Sequence, residues 1–141
     1  MTFKKLVQKA FGLEKKRVDS VVLEREVVES IIGLAKDTYP KEFIAFLDGK
    51  LKDGVLRISS LIYQPYWASR NSTASIVDFP IGMRVFGSVH SHPGPSNQPS
   101  SADLLFFSRH GAVHMIIKTP YSEESIQAYD SQGRMIAFSI G

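Results

Sequence analysis

Apolar and polar positions along this chain repeat with two different periods, and the places where the period switches mark its elements. Ser20 to Leu23 is a short β-branched and apolar run that predicts a strand. Val27, Val28, Ile31, Ile32, Leu34 and Ala35 then recur at helical spacing through Lys36. Pro40 ends that helix, because proline lacks the N–H that a helix interior uses and its ring clashes with the preceding turn. Phe43 to Leu47 and Val55 to Tyr63 read as strands joined through Gly49, Lys52, Asp53 and Gly54 in a hairpin-like connection. Residues 64 to 83 scatter Tyr66, Trp67 and Phe79 among Pro65, Asn71, Ser72, Thr73, Pro80 and Gly82. This predicts a long irregular connection with one strand near Ser75 to Val77.

Val85 to His92 predicts the next strand, and strict alternation would place Phe86, Ser88, His90 and His92 on one face. A loop rich in glycine and proline follows, from Gly94 to Pro99, and then a helix from Ser100 to about Ser108. Ala112 to Lys118, Ser125 to Asp130 and Arg134 to Ser139 complete the pattern as three strands, the last two joined by a turn at Ser131 to Gly133. Several strands with hairpin links and two separated helices argue for an α+β class, a mixed α/β sandwich.

Composition narrows the chemistry. With 141 residues and no cysteine, the chain is large enough to bury a core without disulfides, and thiolate catalysis and cysteine zinc sites are excluded. No apolar run reaches the eighteen or so residues that a membrane span needs, and a cytoplasmic location is expected. Charge is unevenly spread: residues 1–17 hold six basic residues against Glu14 alone, whereas the remaining chain carries 11 basic and 13 acidic residues. Phe3, Leu6, Val7, Ala10 and Phe11 recur at helical spacing among those lysines, which predicts a basic amphipathic arm over 1–17 ahead of a domain over 18–141. Such an arm either packs on the body or docks on an anionic membrane, a nucleic acid or a partner.

The chemistry concentrates at His90-Ser91-His92. Two imidazoles at i and i+2 share one side of a strand, close enough to hold a single ion, and Asp103 falls in the first turn of the following helix. Three protein ligands leave a fourth zinc position for water, the arrangement of a catalytic rather than a structural site, with the pKa of that water drawn toward about 7. Glu42, a lone carboxylate at the mouth of the Phe43 to Leu47 strand, is the candidate base. Ser100, three residues before Asp103, is the candidate oxyanion donor.

A distant glutamate followed by His-x-His, seven residues, Ser, two residues and Asp resembles the pattern of the JAMM, or MPN-plus (Mov34/MPN-type), metalloproteases, with every spacing met by Glu42, His90, His92, Ser100 and Asp103. Pro40, Gly49 and Pro93 agree with the residues that flank this pattern, and the resemblance covers residues 18 to 140. It implies a JAMM/MPN-like, cytidine-deaminase-like central sheet flanked by helices. It also implies one catalytic Zn2+ on His90, His92 and Asp103, with Glu42 as general acid/base and Ser100 as oxyanion support. The implied activity is that of an isopeptidase or peptidase cutting after the C-terminal glycine of ubiquitin or a ubiquitin-like protein. The short connection from Asp103 to the next strand lacks the insertion by which eukaryotic deubiquitinases grip ubiquitin. The chain is therefore similar to compact, stand-alone prokaryotic members, with a ubiquitin-like modifier or sulfur-carrier protein ending in Gly-Gly as the expected partner. Residues around Tyr66 to Phe79 would form the wall for that extended tail.

Other readings compete at each position. Ser100 with Asp103 is also a helix-capping pair, and capping is compatible with ligation. Glu42 alone reads as an exposed strand-end carboxylate, His110 and His114 as a helix-end and a strand residue outside the pattern, and Trp67 as a packing residue. As a whole, the domain also fits a non-catalytic MPN-type scaffold, a DNA-repair-associated relative that uses its basic arm on phosphates, or an iron oxygenase with two histidines and a carboxylate.

Overall fold

A computed structural model describes residues 17–63 and 85–141. The elements run β1 (Ser20–Leu23), α1 (Arg25–Thr38), β2 (Ile44–Lys52), β3 (Val55–Tyr63), β4 (Gly87–Ser91), α2 (Ser101–Phe107), β5 (Val113–Ile117), a 3-10 turn at Glu123–Ser125, β6 (Ile126–Asp130), β7 (Met135–Ile136) and β8 (Ser139–Ile140). Among the described residues eight strands join one mixed sheet in the order β7-β6-β5-β4-β2-β3-β1-β8, an α+β architecture in which α1 and α2 flank the sheet. Most of the amphipathic arm, the connection over 64–83 and the strand expected near Ser75 to Val77 lie outside the described residues.

Local chemistry explains the turns. Asp53 and Gly54 both have positive φ, 52° and 79°, the backbone of a tight two-residue hairpin whose twist matches its strands. The strand expected to stop at Leu47 instead continues to Lys52, because Asp48 and Gly49 stay paired with β3, where the register skips Ser59 as a bulge, rather than forming a turn. A Cβ at Gly49 would collide with the Arg57 carbonyl oxygen, so only glycine fits that crossing.

Alternation along the central strands sorts side chains to two faces. Phe43, Ala45 and Leu47 of the β2 segment, Val89 of β4, and Val113, Met115 and Ile117 of β5 meet Val27, Val28, Ile31 and Ala35 of α1 in one aliphatic core. On the opposite face Ile44, Phe46, Ile116 and Tyr129 meet Phe106 and Phe107 of α2. Ser88, His90 and His114 are buried on this second face. Phe86, expected beside the histidines, packs into the first core instead. Ala112 and Val113 both donate to the Phe86 carbonyl, an irregularity that breaks the alternation before β4 begins.

The final strand expected over Arg134 to Ser139 splits in two. Ile136, Phe138 and Ile140 keep the two-residue period and pack on the α1 core, but β7 pairs with β6 and β8 pairs in parallel with β1. Periodicity reports the facing of side chains and not the partner of the backbone. Ile136 and Ser139 are three residues apart and so at most roughly 11 Å from one another. Eight strands laid flat would span about 33 Å. The sheet therefore curls around α1 until its borders approach.

Candidate metal centre

The β4-α2-β5 unit builds the site. β4 ends at Ser91, and its partner β2 fixes what stands beside that end: the antiparallel register pairs Ile44 with His90, Ser91 N–H donates to the Phe43 carbonyl at 3.1 Å, and Phe43 N–H donates to Ser91 Oγ at 2.8 Å. Continued two residues, this register sets Glu42 opposite His92 and on the same face as His90.

From the loop after β4, α2 begins with a reciprocal cap. Ser100 Oγ accepts from Asp103 N–H at 3.1 Å, while Asp103 Oδ2 accepts from Ser100 N–H at 2.8 Å. A seven-residue helix is too short to hold itself, so this cap and the burial of Phe106 and Phe107 set its start. The cap also fixes the Asp103 carboxylate, which is 1% exposed and faces both histidines, with Oδ1 3.6 Å from His90 Nδ1 and Oδ2 3.0 Å from His92 Nε2. The cap formed by Ser100 and Asp103 is thus compatible with Asp103 as a ligand.

Burial and charge act in opposite directions here. Burial holds the His90 imidazole down at about 3 despite the favourable charge of Asp103, so the ring is neutral. Burial also opposes a charge on His92, but the hydrogen bond and negative charge of Asp103 outweigh it and raise the pKa. Asp103 itself is pushed up by burial and pulled down further by His92, His90 and the Ser100 amide, settling at about 2. For Glu42 burial wins: its pKa is raised, against the influence of His92 and with that of Asp103. That coupling places Glu42 within electrostatic reach of both groups. Ser100 is exposed and keeps its hydroxyl proton outside the cap, in which Oγ is the acceptor.

Two donors about 2.0–2.1 Å from a tetrahedral zinc ion lie roughly 3.3 Å from each other, and the two Asp103–His distances bracket that value. The donor set of two neutral-capable imidazoles and one ionised carboxylate also suits the ion. Among the described residues no three His, Asp or Glu side chains already form a cage around a common point; His92 and Asp103 close directly on each other. The residues fit the ion in type and in the two Asp103–histidine distances.

The family described as prokaryotic homologs of the JAB domain matches residues 24–132. The chain belongs to that family. A JAB1/MPN domain protein from Archaeoglobus fulgidus superposes on this JAB domain with a TM-score of 0.67 and 34% identity, covering 87% of this chain and 98% of the other. A structure described as a JAMM metalloprotease-like zinc site in the proteasome and signalosome gives a TM-score of 0.69 at 34% identity, covering 86% and 98%. A probable metalloprotease from Haloferax volcanii is 29% identical over 82% of this chain and 76% of its own length. The JAMM-like metalloprotease family and the mixed-sheet fold expected from the sequence are those found.

Two residues on this face carry a link that the sequence pattern does not show. Ser88 bonds both His90 Nε2, at 2.8 Å, and His114 Nδ1, at 2.7 Å. His114, which the sequence predicts as a strand residue outside the pattern, lies in β5 and is wholly buried. A histidine inside the otherwise apolar run from Val113 to Ile117 was the available signal.

Proposed function

We propose that this JAB domain is a zinc-dependent peptidase or isopeptidase that hydrolyses the bond after the C-terminal glycine of a ubiquitin-like modifier or sulfur-carrier protein, acting in the cytoplasm. One observation carries the reading: a buried carboxylate addresses two imidazoles at the end of β4, beside a half-buried glutamate with a raised pKa. The relatives named above, one a probable metalloprotease and one a metalloprotease-like zinc site, support it.

In this reading His90, His92 and Asp103 hold the ion, which when bound polarises the scissile carbonyl and acidifies water. Glu42 takes a proton from the attacking water through a carboxylate oxygen and hands it to the departing nitrogen, a shuttle that a raised carboxyl pKa favours. Ser100 donates its hydroxyl proton toward the oxyanion. The segment from Tyr66 to Phe79, proposed as the wall for the Gly-Gly tail, lies outside the described residues, as does most of the basic arm proposed for docking. Among the described residues no helix is long and apolar enough to cross a membrane.

The test is a panel of Gly-Gly conjugates incubated with and without chelator and read by mass spectrometry, alongside metal analysis. Glu42→Ala should keep zinc and lose cleavage by roughly 100- to 10,000-fold. Full cleavage by that variant would overturn its role, and a wild-type chain that binds zinc yet cleaves nothing would leave a scaffold module instead.

A further inference from the structure

The second face holds a run of polar groups behind the metal centre, with Ser88, His90 and His114 all buried. It starts at the Gly111 carbonyl, which lies 3.1 Å from His114 Nε2. It continues from His114 Nδ1 through Ser88 Oγ at 2.7 Å to His90 Nε2 at 2.8 Å. Each link follows from the sheet: β4 and β5 run in parallel with Ser88 directly opposite His114, and Ser88 lies two residues before His90 on the same face. Gly111 reaches its place with φ of +110°, where an added side chain would collide with the Phe86 backbone at 2.6 Å.

Hydrogen-bond polarity makes this chain directional. A carbonyl only accepts, so a neutral His114 must carry its proton on Nε2 and accept on Nδ1. The one proton of the Ser88 hydroxyl is then committed to His114. Ser88 Oγ can face His90 Nε2 only as an acceptor, so His90 must carry its proton there. The other ring nitrogen, Nδ1, is left with its lone pair toward Asp103. We infer that Ser88 and His114 are positioning residues that lock His90 in its Nε2–H tautomer and aim its Nδ1 lone pair into the metal centre.

A second observation points the same way. His90 Nδ1 and Asp103 Oδ1 stand 3.6 Å apart, whereas a charge-assisted N–H to carboxylate bond would draw them to about 2.7–2.9 Å, as His92 Nε2 at 3.0 Å nearly achieves. The gap is what two lone-pair-bearing atoms keep. Packing freezes the rings in place: His114 stacks on Phe107 with centroids 4.4 Å apart and planes 9° off parallel, and His90 stands edge-on to Phe106 at 4.8 Å. A metal-bound histidine whose second nitrogen is fixed in this way holds its ion more tightly than one left to rotate.

The inference rests on His90 being a ligand, and the experiment separates the two ideas. Two-bond proton–nitrogen NMR on the full chain, labelled with 15N and freed of metal, reads each histidine tautomer at pH 7 without reference to zinc. His90 and His114 are expected as Nε2–H; an Nδ1–H His90 overturns the relay. Zinc affinity, by competition with a chromophoric chelator, should fall about 10- to 100-fold in Ser88→Ala and in His114→Phe. It should recover in Ser88→Thr, which restores the hydroxyl, and cobalt absorption bands should shift in Ser88→Ala and return in Ser88→Thr. Wild-type affinity in a folded Ser88→Ala overturns the proposal. Should Ser88→Ala not fold, the wild-type tautomers still decide. A wild type with the expected tautomers that binds no zinc counts against the metal reading and not against the tautomer lock.

Discussion

The two faces of the sheet are built from different materials. On the α1 side, the 14-residue helix buries Val27, Val28, Ile31 and Ala35 against aliphatic side chains. Its N-cap, Glu24, makes no side-chain cap hydrogen bond, so burial holds it. On the α2 side a helix half as long begins with a full capping box and sets two phenylalanines over Ser88, His90 and His114. The contrast shows how one sheet separates tasks: one face supplies apolar burial, and the other holds polar groups in place with rigid aromatic rings and hydrogen bonds at some cost in burial.

The largest expected effects set the faces directly against each other. Phe106→Ala should cost about 3–5 kcal/mol in a denaturant titration and also weaken zinc binding, because the ring props His90. Ile31→Ala should cost roughly 2–5 kcal/mol yet leave zinc affinity unchanged in the folded protein. Equal zinc affinities in the two variants would erase the distinction between the faces.

Acid sharpens it further. Burial lowers His114 to about 4, from about 6.5 in the unfolded chain. Between those values the unfolded chain binds the extra proton, so this residue's contribution is whole above pH 6.5 and is lost as the pH falls toward 4. Urea midpoints of the metal-free protein should fall over that window, and less steeply in His114→Gln. Equal slopes would show that the buried ring does not govern this acid sensitivity.

The helix starts give the smallest effects, of opposite sign. Ser100→Ala should cost about 1 kcal/mol of stability by removing the cap acceptor. Glu24→Ser, at an N-cap whose backbone is already extended, should add about 0.5–1 kcal/mol, measured as a rise in thermal midpoint.

Much of this was legible in the sequence because the relevant physics is local. The period of Val27 to Ala35 reported α1, the spacing of His90, His92, Ser100 and Asp103 reported residues that the fold brings together, and Asp53-Gly54 reported the hairpin. What escaped was set by partners distant in sequence. The Asp48-Gly49 pair carries turn chemistry but stays in the ladder opposite Ser60 and Ile58, with Ser59 of β3 bulged between them. Phe86 changes face because Ala112 and Val113 share its carbonyl. Only the parallel register of β4 and β5 joins Ser88 to His114, 26 residues away.

The split C-terminal strand has one more consequence. It places a two-residue strand at each border of the sheet, β7 beside β6 and β8 beside β1. A border this short offers a second molecule few unpaired amides and carbonyls on which to add its own strand. The arrangement that draws the sheet around α1 thus also protects a strand-rich protein from edge-to-edge aggregation.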